Sequence, residues 1–106
     1  MATDASTLYK LIILYMLDRV NSPMTNAQIS EFVLEKGYTT YFTLQEVLNT
    51  LISDGFITEE SYHSSTHYTI TDSGRETINF FKYKISSSIV SDINLFLSDN
   101  KYELKE

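Results

Sequence analysis

Apolar residues recur at helical spacing near the start of the chain. Leu8, Leu11, Ile12 and Tyr15 share one face of a predicted helix over residues 6–20. Ile13, Leu14, Met16 and Leu17 are apolar as well, so this helix is hydrophobic nearly all round and has to be covered on more than one side. Pro23 ends it by biasing Ser22 away from the helical region. A second helix is announced by Thr25 and Gln28, spaced as a capping box, with Met24 placed to staple onto Ile29. Its buried stripe is Ile29, Phe32 and Val33, and Gly37 is its stop. The same device predicts a third helix. Thr43 and Glu46 form a second capping box, Phe42 is placed to staple onto Val47, and Gly55 follows the stripe Leu44, Val47, Leu48, Leu51.

The period then changes. Residues 56–62 and 67–71 are rich in Ile, Thr, Tyr and Phe, and Tyr68 and Ile70 alternate with Thr69 and Thr71. They read as two strands joined by a polar turn over residues 63–66. A lone hairpin is marginal in water, so it must pack on the helices. A fourth helix is expected from Thr71 or Asp72 to about Lys84, with Ile78, Phe81 and Ile85 on its apolar face. Ile89, Ile93, Phe96 and Leu97 mark a fifth helix over about 87–98. Residues 1–7 and 98–106 read as frayed ends. Three helices, a strand, a polar turn, a strand and a helix is the order of a winged helix-turn-helix. The expected fold class is mainly α with a small β-hairpin, in one domain over 1–106 with its core at about 6–85.

Composition narrows the function. The chain is 42% hydrophobic, enough for a real core, and it has no cysteine, which removes disulfides and thiolate metal sites. The start MATDAST lacks a basic stretch followed by an apolar one, so no signal peptide is expected. The longest apolar run, 11–17, is far too short to span a bilayer. These features fit a cytoplasmic protein with no membrane partner. The net charge of −6 works against nucleic-acid binding, because Lys and Arg supply most of the non-specific affinity for phosphates.

The run Tyr68-Thr69-Ile70-Thr71-Asp72-Ser73-Gly74 resembles the Tyr-x-Leu-Thr-x-x-Gly signature of PadR- and MarR-like bacterial regulators, with Ile70 in the place of Leu. In those proteins it marks the second wing strand running into the next helix. Taken whole, the chain is similar to a bacterial winged-helix family classed as a domain of unknown function. That resemblance is carried by residues 8–17 (LYKLIILYML), 24–32 (MTNAQISEF) and 41–45 (YFTLQ). It implies a transcriptional regulator and supplies neither ligand nor target. Members of that family usually continue into a further C-terminal segment.

On this reading the third helix is the candidate reader of double-stranded DNA. Gln45 and Asn49 face away from its apolar stripe, and both amides suit adenine; Thr43 lies nearest the helix start. Thr39, Thr40 and Tyr41 in the preceding connection and Ser64 and Ser65 in the wing complete the candidate contact set. Neither the third helix nor the wing turn carries Lys or Arg, and Glu46 works against phosphates. The alternative is therefore a winged-helix module that binds protein and not DNA. A homodimer is expected through the first and last helices, with Leu11, Leu14, Ile89, Ile93, Phe96 and Leu97 as its candidate interface. His63 and His67 could meet across the wing turn but are too few to hold a metal. No catalytic arrangement, metal site or cofactor is indicated, and no enzyme activity is expected.

Overall fold

The computed structural model describes residues 4–104. Residues 1–3 and 105–106, part of the expected frayed ends, lie outside the described residues. The elements in order are α1 (Ala5–Arg19), β1 (Met24–Thr25), α2 (Asn26–Glu35), α3 (Tyr41–Ser53), β2 (Ile57–Tyr62), β3 (Ser65–Ile70), α4 (Asp72–Phe81), a 3-10 turn (Lys82–Lys84) and α5 (Ser87–Asp99). The architecture is mainly helical with one small antiparallel sheet in the order β1-β3-β2.

Helix α1 runs through the centre of the core. Leu11, Ile12, Ile13, Leu14, Met16 and Leu17 are all buried. Elements α3, α4 and β3 pack around it. On the α5 side, the Tyr15 hydroxyl lies 3.5 Å from Asn94 Oδ1. This arrangement places the residues expected at a two-fold interface within the chain's own core. Leu11, Leu14, Ile93 and Leu97 are at most 4% exposed within a single chain, and Ile89 and Phe96 are partly buried against the same core. A helix that is apolar all round needs covering, and here the rest of its own chain covers it.

One residue belongs both to the sheet and to the cap of α2. Thr25 pairs with His67 in the ladder and also caps α2. Its hydroxyl accepts the Gln28 N–H at 3.1 Å, and its own N–H donates to Gln28 Oε1 at 2.8 Å, completing the expected capping box. The β1 strand was not expected, because two residues are too few to show a period. Helix α3 differs from expectation at its start. Thr40, not Thr43, is the cap, accepting the Thr43 N–H at 3.2 Å. Tyr41 and Phe42 are thereby drawn into the first turn, and Phe42 is 75% exposed and staples nothing. Starting one turn earlier lengthens the helix while still using a threonine cap.

The hairpin turn is also tighter than expected. Tyr62 pairs with Ser65, leaving only His63 and Ser64 in the loop, at φ 52° and 61°. Two left-handed residues in succession fit a type I′ connection, which matches the twist of the strands. Past the turn, Ser65 and Thr66 belong to β3 and not to a loop.

The Tyr68–Gly74 run is where the hairpin joins the body. Tyr68 and Ile70 point into the core. The Thr71 hydroxyl donates to the Gly55 carbonyl at 2.7 Å and accepts the Gly74 N–H at 3.0 Å, capping α4. Gly74 is held there by space. A Cβ on it would collide with the Phe56 carbonyl oxygen and come within 2.8 Å of Ile70 Cγ1. At the other end, residues after α5 fold back onto the end of α1. The Asn21 N–H donates to the Glu103 carbonyl at 3.2 Å, and Val20 pairs with Leu104. The expected fraying over 98–106 is thus corrected for residues 98–104. No helix among the described residues is long and apolar enough to cross a membrane.

Candidate nucleic-acid interface

The first turn of α2, the N-terminal half of α3 and the hairpin enclose an open polar concavity of about 500 Å³. Asn26 is at its centre. The Asn26 and Gln45 side-chain amides bond reciprocally. Asn26 Nδ2 donates to Gln45 Oε1 at 2.7 Å, and Gln45 Nε2 donates to Asn26 Oδ1 at 3.2 Å. Asn26 Nδ2 also donates to the Tyr68 hydroxyl oxygen at 3.1 Å, and Asn26 Oδ1 accepts from Ser30 Oγ at 3.1 Å. Both donors and both lone pairs of the Asn26 amide are therefore used. Burial pushes the Tyr68 phenol above its ordinary pKa. The charge of Glu59 and the nearby Tyr41 add to that, while the Asn26 hydrogen bond opposes it.

Four of the eight candidate contact residues come together here: Tyr41, Gln45, Ser64 and Ser65 all line the concavity. The other four do not. The Thr40 hydroxyl caps α3 and bonds the Thr43 hydroxyl at 3.1 Å. Thr39 lies in the connection before that cap. Asn49 is exposed one turn beyond Gln45, on the same side of α3. Gln45 does lie on the polar side of α3, but its amide is tied to another element rather than free to read a base. Sequence reasoning missed Asn26, Ser30, Thr66 and Tyr68. Asn26 and Ser30 are four apart on α2, which puts them on one face, and that spacing was the available signal.

The lining carries neither a cation nor an acid. Its edge is aromatic, with Tyr41 56% exposed. At the tip of the hairpin, His63 and His67 do not meet each other. Instead Tyr62 contacts both, stacked on His67 at 4.1 Å between centroids and edge-on to His63 at 5.4 Å.

A model of a family described as a domain of unknown function (DUF4364) matches residues 9–106. No curated protein matches the chain. The family match bears out the resemblance to a domain of unknown function. The likeness to PadR- and MarR-like regulators rests on residues 68–74 alone.

Proposed function

We propose that this chain, which belongs to the DUF4364 family, is a winged-helix regulator that binds double-stranded DNA with α3 and the hairpin. The observation that carries the reading is one shared surface: Tyr41 and Gln45 of α3 and Ser64 and Ser65 of the hairpin line the same concavity. A duplex meeting the start of α3 would therefore also meet the hairpin tip, which is how a recognition helix and a wing work together. With no cation in that lining, phosphate contacts fall to hydroxyls and to the positive N-terminal end of α3. Asn49, exposed and free of the Asn26 network, is the best-placed base reader, and Gln45 is a supporting residue. On this reading a homodimer is built from surface outside the core. Phe80 and Leu95, 70% and 57% exposed, are large apolar side chains available for it on α4 and α5.

Fluorescence anisotropy with generic and selected duplexes at two salt concentrations tests this. Binding should show a shallow salt slope, reflecting few neutralised phosphates. Asn49→Ala should cost about 1–3 kcal/mol on a selected site, and Glu46→Gln should strengthen binding by removing a like charge. No saturable binding to any duplex at low salt would overturn the reading.

A second reading, a module that docks on protein, is favoured by Tyr41 and Phe42 standing exposed at 56% and 75% beside a cation-free lining. Aromatic side chains free of charge are typical of protein-interface centres. Loss of protein capture on Phe42→Ser, with DNA binding absent throughout, would select it.

A further inference from the structure

A different cleft lies at the other end of α3, where its last turns meet α1, the start of β2 and the end of α4. It encloses about 340 Å³. Leu11, Leu14 and Leu51 form its floor, and Phe56 and Phe81 its aromatic walls. Its two charged residues are Lys10 and Lys84, both cations, in a chain with 14 Asp and Glu against 8 Lys and Arg. Lys84 Nζ stands 5.3 Å from the centre of the Phe81 ring, so its ammonium is held over one wall. Asp4, an acid whose charge interacts with Lys10, is engaged in capping α1: its carboxylate accepts the Thr7 N–H at 2.8 Å and the Thr7 hydroxyl at 3.2 Å.

An apolar hollow of this size with a few polar groups at its rim has the make-up of a small-molecule site. Two lysines and no acid in the lining select a negative head group by charge complementarity. We propose that the cleft binds a medium-sized apolar monocarboxylate, its hydrocarbon body against Leu51, Phe56 and Phe81 and its carboxylate at the rim with Lys10 and Lys84. This site is separate from the α3–hairpin concavity, and its test does not depend on DNA binding.

The test is a ¹H–¹⁵N NMR titration of the full chain with 2-naphthoate, and with 2-naphthamide as the neutral match. Saturable shifts are expected at the amides of Lys10, Leu14, Phe56, Thr77 and Phe81, with 2-naphthamide binding about tenfold more weakly. The double variant Lys10→Gln/Lys84→Gln should weaken 2-naphthoate by about tenfold while leaving 2-naphthamide unchanged. Equal binding of acid and amide overturns the proposal. So do shifts centred on Asn26 and Gln45, or no saturable shift at all. Should the double variant lose its dispersed spectrum, the acid-against-amide comparison on the unaltered chain decides alone.

Discussion

The two ends of the hairpin are built on opposite principles. At its root, Ile57 and Ile70 face each other across the ladder at 1% and 6% exposure. Thr71 reaches back to the Gly55 carbonyl, and the Phe56 carbonyl presses on Gly74. At its tip, residues 58–65 are all exposed, and what holds them is local: the β2–β3 ladder, a two-residue turn and the stack of Tyr62 on His67. The root is over-determined by burial and backbone contact, while the tip owes its position to its attachment. A surface that must meet a partner can be small and polar when the element bearing it is fixed at the other end.

That contrast makes graded predictions. Gly74→Ala should be the most damaging, lowering stability in urea denaturation by about 3 kcal/mol, because the new methyl group overlaps the Phe56 carbonyl. Thr71→Val removes the cap of α4 and the bond to Gly55, and should cost about 2 kcal/mol in the same assay; Thr71→Ser should recover most of it. Both changes should also broaden or shift the NMR signals of residues 62–65, although neither touches the tip. Tyr62→Ala should cost only about 0.7 kcal/mol, the scale of one exposed ring stack across two strands. Ser64→Gly should stabilise the protein, by about 0.5 kcal/mol, since a left-handed φ suits glycine better than serine. A large loss from Tyr62→Ala, or a neutral Gly74→Ala, would erase the distinction between root and tip.

The same contrast explains what could be read in the residues. Signals contained within a few positions were legible. Thr25 with Gln28, Gly37 and Gly55 each appear in the structure in the expected role, and the period-two run expected over 67–71 is strand as far as Ile70, with Thr71 capping α4. At the start of α3 a local signal misleads. Thr40 and Thr43 are both threonines ahead of an apolar stripe, and the glutamate at position 46 pointed to Thr43, but Thr40 yields the longer helix. Long-range pairings left no local trace. Asn26 and Gln45 are nineteen positions apart, and neither polar residue announces the other. The candidate site was therefore half legible: Gln45 and the hairpin serines could be placed on one face, but the amide network that occupies Gln45 could not. Most of the residues expected at a dimer interface are core residues, for a related reason. A run of apolar residues in α1 shows that covering is needed without saying which part of the chain supplies it.

Thr25 has a mechanical consequence. It is the last residue of β1, paired to His67, and the first fixed point of α2 through its capping box. No slack separates the sheet from the helix, so the two behave as a bar and an arm welded at Thr25 and pinned again where Asn26 bonds Tyr68. A partner pushing on the hairpin would load the start of α2 directly, and through Asn26 the bonded amide of Gln45 on α3. Strain applied at the tip is thus delivered to the two helices beside it rather than absorbed in a loop.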